Sequence, residues 1–216
     1  ATQGNVTGAL LPSSKRQEVL QVAGEGGAPM EELNVTLLDA GQPTVFVFGA
    51  QLGLEGSSAD VAARLQQDEA MLRRIERIRG AGAVKMGIVQ RWEDAETLSP
   101  YTPFVVMVSA PRAADPGDVV ATCVFMQKVH KAYPVTGSVA TVAAILLPGT
   151  IVHDVARKPV GTVKISHPTG VMEVDGEVRD GDEPALVRAA IARTARRLMD
   201  GNAYVPWSVW PDDSRL

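Results

Sequence analysis

The hydrophobic pattern of the chain is most distinctive between Val139 and Leu147. Eight of these nine residues are apolar, and the stretch has no polar face. A helix of this composition has to be surrounded by protein on every side, and about nine to eleven residues are too few to cross a bilayer. The pattern therefore predicts a buried helix over residues 138–147 around which the rest of the fold is built.

Most of the remaining pattern is typical of short strands separated by turns rich in Gly, Pro and Asp. The predicted strands cover residues 6–12, 18–23, 33–37, 44–48, 83–89, 104–109, 119–126, 151–156, 161–166 and 171–174. Two amphipathic helices are predicted over 59–67 and 69–79, and the second is expected to end at Gly80 to Gly82. Residues 184–199 fit either element, since their composition favours a helix while part of the stretch alternates like a strand.

This order of elements predicts the fold class. Strands, two helices, more strands, one apolar helix and further strands do not repeat as βαβ units. The sequence therefore predicts an α+β fold in which a curved, mainly antiparallel sheet wraps around the central apolar helix. At 216 residues, 45% of them apolar, the chain can build one fairly large domain or two small ones.

Charge and composition restrict the partners. The net charge is −4, and the arginine-rich pieces 73–79 and 188–197 alternate with apolar residues, so a nucleic-acid surface is not expected. No apolar run approaches eighteen residues, so no membrane contact is expected either. The single cysteine, Cys123, lies in an apolar strand without an adjacent base, which indicates a buried, unreactive thiol. These features favour a cytoplasmic protein, and the start at Ala1 instead of a Met suggests a fragment or a processed product.

The start of the predicted apolar helix is the first candidate site. Thr136 and Ser138 can cap it, and Gly137 allows a ligand to approach the backbone. The first N–H groups of a helix have no partners within the helix and attract anions. An ordinary N-cap without a ligand remains the alternative at this point.

The histidines offer little evidence for a metal. His130, His153 and His167 are 23 and 14 positions apart and follow no metal-binding spacing. His130 precedes the helix start and adjoins Lys131, so it could pair with a carboxylate or act as an acid or base, or it could be a solvated loop residue. The motifs of serine hydrolases, P-loop kinases and dinucleotide-binding dehydrogenases are not found.

Small polar residues recur at turns after strands. The three turns are residues 39–44, 85–87 and 136–138. If they converge, they form a pocket of backbone donors and short side chains that suits a small polycarboxylate.

Six blocks of the sequence form a recognisable series in a fixed order, namely residues 38–47, 78–87, 130–140, 147–150, 167–170 and 193–201. Together they resemble the methylaconitate isomerase (PrpF) family. The resemblance reaches from about Asn5 to Pro206. Each block is weak alone, but their order makes the resemblance specific.

This resemblance implies a fold like that of diaminopimelate epimerase, with two similar halves, each a curved sheet around a central helix, and an active site between them. It also implies isomerisation or tautomerisation of unsaturated tricarboxylates such as 2-methylaconitate or 4-oxalomesaconate, without cofactor or metal. Residues 1–216 then form a single domain that resembles the second half. The half with the family's catalytic cysteine and a lysine has no counterpart here, so no catalytic residue is assigned and the base is expected to be absent.

The resemblance also assigns candidate substrate-binding residues. They are Gln42, Thr44, Met86, Gly87, His130, Lys131, Thr136, Gly137 and Ser138. Gln42 stands where the family usually has Asn, and Thr136 stands where the epimerase has its second catalytic cysteine. Since a threonine hydroxyl is a poor base, the helix start is expected to bind a carboxylate. The resemblance favours a strand over 184–199.

Two partners follow from the same comparison. The tail 202–216, with Trp207 and Trp210, is expected to pack against the N-terminal half, and an exposed apolar patch would also allow a homodimer. The alternative function is a non-catalytic module on the same half-fold that binds carboxylates or a protein.

Overall fold

The computed structural model describes residues 3–159 and 161–209, except for the side chain of Trp207. The strands are β1 (Glu18–Val22), β2 (Glu31–Ala40), β3 (Gln42–Phe48), β4 (Phe104–Ser109), β5 (Val119–Phe125), β6 (Lys128–Val129), β7 (Thr162–His167), β8 (Gly170–Arg179) and β9 (Ala185–Ala190). The α-helices are α1 (Ser58–Leu65), α2 (Glu69–Lys85), α3 (Ala95–Leu98), α4 (Val135–Leu146) and α5 (Ile151–Val155). Part of the tail 202–216 for which a partner is expected, residues 210–216 with Trp210, lies outside the described residues.

The strands form one mixed sheet. Its order within the described chain is β1-β2-β3-β4-β5-β7-β8-β9, with β6 paired to β5 beside this path. The pairs β3–β4 and β5–β7 are parallel, and the other neighbours are antiparallel. The sheet does not close, since β1 and β9 are its two ends. The predicted α+β class with a mainly antiparallel sheet is confirmed.

Helix α4 is the central apolar helix. It contacts β2 and β3 in one part of the sheet and β8 and β9 in another, so the sheet curves around it. Gly176 of β8 allows this close approach, because a Cβ atom there would lie 2.6 Å from Cγ2 of Val142 and 2.9 Å from Cδ1 of Leu146. In the part of the chain that the structure describes, neither α4 nor another helix has the length and apolar content to cross a membrane.

The two faces of the sheet carry separate apolar cores. Along β3, Phe46 belongs to the core around α4 and α5, whereas Val45 and Val47 belong to the core under α1 and α2. This alternation follows from the two-residue period of a strand. Gln42 and Thr44 share the parity of Phe46 and therefore lie on the α4 side of the sheet.

Helix α2 is longer than the sequence predicts. The expected stop at Gly80 to Gly82 and the strand expected after it are wrong, since the helix continues to Lys85. A Cβ atom on Gly80 would lie 2.5 Å from the carbonyl oxygen of Trp92, and one on Gly82 would lie 2.3 Å from Cγ2 of Val45. These glycines serve close packing of the helix, which outweighs their poor helix propensity.

The strand expected over 151–156 is also wrong. These residues form α5, and the hydroxyl oxygen of Thr150 accepts a hydrogen bond from the His153 N–H at 3.1 Å as its cap. The cap and the burial of Ile151 and Val152 against the central core favour a helix over the β propensity of the sequence.

Two further expectations need correction. Residues 6–12 form turns and bends, not a strand. The hairpin that their pattern predicts with residues 18–23 is therefore absent, and β1 pairs with β2. The stretch 184–199 is a strand only over β9, and residues 191–206 have no regular secondary structure.

Candidate functional site

The candidate site begins at the N-terminus of α4. The helix starts at Val135, with Pro134 at the N-cap position and no side chain as a cap. The prediction that Thr136 and Ser138 cap the helix is therefore wrong. The Ser138 hydroxyl donates to the Val135 carbonyl oxygen at 2.7 Å, and Thr136 is exposed.

The first turn of α4 has free hydrogen-bond donors. Among residues 3–159 and 161–209, no group accepts a hydrogen bond from the backbone N–H of Val135, Thr136 or Gly137. Ser138 is the first residue of the helix whose N–H is bonded, and it donates to the Pro134 carbonyl oxygen. The first turn contains no acidic residue. Unpaired N–H groups at the positive end of a helix favour an anion such as a carboxylate.

The turn between β2 and β3 lies directly against this helix start. Gly41 has a φ of +71°, which favours glycine. A Cβ atom on Gly41 would lie 2.9 Å from the Thr136 carbonyl oxygen and 3.0 Å from Cβ of Val139. The structure thus brings the turns at 39–44 and 136–138 together, two of the three expected to converge.

Gln42 and Thr44 stabilise the turn. The Gln42 side-chain nitrogen donates to the Tyr101 carbonyl oxygen at 2.9 Å and to the Thr102 hydroxyl oxygen at 2.6 Å. Thr44 is buried, and its hydroxyl donates to the Gln42 carbonyl oxygen at 2.9 Å. Both side chains therefore hold backbone near the site, and the Gln42 amide nitrogen is already occupied.

The loop that Gln42 contacts leads to the helix start through Phe104. Sequence reasoning missed this loop because its polar, proline-bearing composition gives no signal of a site. A Cβ atom on Gly137 would lie 3.4 Å from Cδ2 of Phe104 and 3.2 Å from Cγ of Pro134. Close packing around position 137 therefore favours a glycine there.

An open cavity lies beside Phe125, the aromatic neighbour of Phe104. Phe104 packs edge-on against Phe125, with ring centroids 5.2 Å apart. Phe125 also lines a cavity of ≈ 400 Å³. The other lining residues are Met126, Lys128, Val129, His130 and Lys131. Two of the predicted site residues, His130 and Lys131, thus line one cavity, and the rings of Phe125 and Phe104 lie between it and the helix start.

His130 lies near a second histidine, His167. The Nδ1 atom of His130 is buried and, within the described residues, has no hydrogen-bond partner. Partial burial and, to a smaller extent, the nearby His130 hold the pKa of His167 below its ordinary value. The ring of His167 stacks on Tyr133, with centroids 6.4 Å apart.

The lowered pKa of His167 predicts a pH dependence of stability. Because the unfolded chain binds this proton more readily, the protein loses stability as the pH falls through the ordinary histidine pKa. The variant His167→Gln is expected to flatten the curve of unfolding free energy between about pH 5 and 7, as measured by urea denaturation at several pH values. An unchanged slope would contradict this assignment.

Met86 and Gly87 lie elsewhere. Met86 is buried in the core under α1 and α2, on the face of the sheet opposite to α4. Gly87 has a φ of +73° and open space around it. The third turn therefore ends helix α2, and the structure does not bring it to the α4 start.

Asp39 was not identified from the sequence. Its buried Oδ2 atom accepts hydrogen bonds from the N–H groups of Val6, at 3.0 Å, and Thr7, at 2.8 Å, and from the Thr7 hydroxyl, at 2.9 Å. This carboxylate holds the N-terminal segment beside the β2–β3 turn. A single Asp two residues before a glycine gives no signal for that role, since it looks like an ordinary turn residue.

The described side chains offer little support for metal binding or for a reactive cysteine. The described residues contain no group of three or more His, Cys, Asp or Glu side chains that could hold a metal ion. Burial raises the pKa of the Cys123 thiol well above its ordinary value, which disfavours the reactive thiolate.

The chain has clear relatives. The family model described as PrpF protein matches residues 1–206. The 3-methylitaconate isomerase of Eubacterium barkeri is 32% identical, over 94% of this chain and 54% of its own length. The (4E)-oxalomesaconate Delta-isomerase of Novosphingobium sp. is 34% identical, over 94% of this chain and 52% of its own. The 2-methyl-aconitate isomerase of Shewanella oneidensis is 30% identical, over 92% and 51%.

A solved structure agrees with these relatives. The crystal structure of a methylitaconate-delta-isomerase superposes with a TM-score of 0.81 at 31% identity, and the match covers 93% of this chain and 52% of that one. The chain thus spans about half the length of the relatives that it matches. Because the family model covers nearly the whole sequence, the chain belongs to the PrpF protein family.

Proposed function

We propose that this chain supplies the carboxylate-binding part of an isomerase that moves a proton on an unsaturated tricarboxylate. The relatives that share its sequence are named as isomerases of methylitaconate, methylaconitate and oxalomesaconate. The observation that carries the proposal is the set of unpaired N–H groups at Val135, Thr136 and Gly137. One substrate carboxylate binds there, within reach of the Thr136 hydroxyl.

The cavity beside Phe125 takes the rest of the substrate. Lys131 is exposed and His130 is half-buried at its wall, and a cationic or hydrogen-bonding side chain there would bind a second carboxylate. Phe125 and Val129 provide an apolar surface for the unsaturated carbon chain. Gln42 and Thr44 act in this proposal by shaping the backbone next to the first carboxylate.

The reaction starts with proton abstraction from a carbon next to a carboxylate or carbonyl group. The electron pair moves into the conjugated system as a dienolate, and a proton returns at another carbon. The α4 N–H groups would stabilise the negative charge that develops on the carboxylate oxygens. A threonine hydroxyl is a poor base, so we place the base in the part of the relatives that this chain does not match.

The same proposal gives the C-terminal segment a partner. Tyr204 is 93% exposed, and Leu198 and Met199 are also largely exposed. Large apolar side chains in an extended, exposed segment favour contact with another protein surface. We propose that residues 198–209 pack against the other half of the isomerase.

The proposal is tested first with the chain alone and then with a chimaera. The chain alone is expected to bind trans-aconitate in isothermal titration calorimetry, to bind its neutral trimethyl ester much more weakly, and to show no turnover. In the chimaera, the chain replaces the matching half of the Novosphingobium isomerase, and turnover of that enzyme's substrate is expected to return.

Two outcomes would contradict the proposal. Equal affinity for trans-aconitate and its trimethyl ester would show that the chain has no carboxylate-binding site. Binding without turnover in a folded chimaera would instead favour a non-catalytic carboxylate-binding module.

A further inference from the structure

Arg79 of helix α2 is a buried arginine, only 4% exposed. Its Nε atom donates to the two carboxylate oxygens of Glu76 at 3.0 and 2.9 Å. Its Nη1 atom donates to the carbonyl oxygens of Ser99 and Thr102, at 2.7 and 3.0 Å. One planar guanidinium therefore joins α2 to the loop before β4.

Gln42 holds the same loop from the α4 side of the sheet. Its side-chain nitrogen donates to the Tyr101 carbonyl and the Thr102 hydroxyl, so Thr102 is held by Arg79 through its carbonyl and by Gln42 through its side chain. Phe104 follows two residues later and packs against Gly137. The loop thus links the buried ion pair on α2 to the start of α4, through hydrogen bonds to Arg79 and through the packing of Phe104 against Gly137.

We infer that Arg79 is a positioning residue for the carboxylate site, and this inference rests on the proposed function. Arg79 lies on a helix on the other face of the sheet and acts through the loop, which places Phe104 beside Gly137 and holds the side chain of Gln42. Its guanidinium suits the role because separate nitrogens face Glu76 and the loop in one rigid plane. A lysine has one nitrogen and cannot bond Glu76 and both carbonyls with that geometry.

The first test is Arg79→Lys, which keeps the charge and the helix propensity. The backbone N–H groups of Ser99, Thr102 and Ser138 donate to the carbonyl oxygens of Ala95, Ser99 and Pro134. These amides are expected to exchange hydrogen about tenfold faster than in the wild type, because the loop loses its hydrogen bonds to the guanidinium. The affinity for trans-aconitate is expected to fall about fivefold. Both are measured on the 216-residue chain, by hydrogen exchange with mass spectrometry and by calorimetry.

The matched control is Arg74→Lys on the same helix. Arg74 pairs with Glu31 and donates to the Gln51 carbonyl oxygen at 3.3 Å, and neither partner belongs to the loop. This variant loses an arginine ion pair without touching the site, so loop exchange and affinity are expected to stay at the wild-type values.

A second, double variant separates the loss of the loop contacts from unfolding of the protein. In the double variant Glu76→Met with Arg79→Met, apolar side chains of similar length replace the buried pair, a change that proteins often tolerate. It is expected to loosen the loop as Arg79→Lys does. The inference is overturned if loop exchange in these variants matches the wild type, or if exchange rises equally throughout the sheet, which would indicate a structural role only.

The affinity measurements separate this inference from the proposed function. If the wild-type chain does not bind trans-aconitate, the carboxylate site fails and the positioning role fails with it. If the wild type binds and the Arg79 variants bind equally well, only the positioning role is wrong.

Discussion

Replacing Gly41 by alanine is expected to lower the free energy of unfolding by about 3 kcal/mol. The left-handed φ of +71° is unfavourable for a residue with a Cβ atom. The new Cβ atom would also lie 2.9 Å from the Thr136 carbonyl oxygen, which belongs to the backbone of α4 and can move only with the helix. Urea denaturation measures the change, and trans-aconitate affinity is expected to fall with it.

Gly87→Ala provides the control. Gly87 has nearly the same backbone conformation, with a φ of +73°, but nothing lies within 4 Å of its Cβ position. The loss there is expected to be about 1 kcal/mol, from backbone strain alone. Equal losses at the two positions would show that the contact between the β2–β3 turn and α4 is unimportant for stability.

Replacing Gly137 by valine is expected to abolish detectable binding of trans-aconitate. The branched side chain would meet Pro134 and Phe104, since even a Cβ atom would lie 3.2 Å from Cγ of Pro134. Relief of this contact requires the first turn of α4 to shift, which moves the free N–H groups that define the site. The expected weakening is about a hundredfold or more, as measured by calorimetry on folded protein.

Two substitutions beside Gly137 provide the controls. Ser138→Ala is expected to leave binding within about twofold of the wild type, because the Ser138 hydroxyl donates within the helix to Val135. Thr136→Val removes an exposed hydroxyl but keeps the backbone N–H, and an affinity loss of about threefold is expected. Full binding by a folded Gly137→Val variant would exclude the helix start as the carboxylate site.

The curvature of the sheet explains why the residues of these predictions lie close together. The sheet wraps around α4, so the β2–β3 turn, the loop before β4 and the helix start meet at one end of that helix. Arg79 lies outside this meeting point and holds the loop before β4, whereas Asp39 lies beside it, at the end of β2, and holds the N-terminal segment there. Substitutions at either residue can therefore affect the site without contact with a ligand.

Several features of this protein could be predicted from the sequence. The continuous apolar run at 139–147 allows only a buried helix, and the strand at Phe104 to Ser109 agrees with β4 without change. The resemblance to the family comes from short blocks at turns, where special backbone conformations and close contacts restrict the choice of residue. These local signals also indicated Gln42 and Gly137 as residues of one site, and the turns that carry them do lie against each other.

Tertiary structure decided the features that depend on distant partners. Helix α2 runs through Gly80 and Gly82 because Trp92 and Val45 pack against them, and this contact is invisible to local propensity. Met86 has turn-like neighbours in sequence, yet it is buried on the opposite face of the sheet.

The sequence by itself determined the central helix, the mainly antiparallel sheet and the family, because each rests on residues close together along the chain. Only the tertiary structure decided which turns meet at the start of α4 and which buried charges hold the segments around them. The physical reason is that Arg79 and Asp39 are stabilised by carbonyl and N–H groups at least twenty residues away. Such hydrogen bonds cannot be predicted from hydrophobic periodicity or from residue composition.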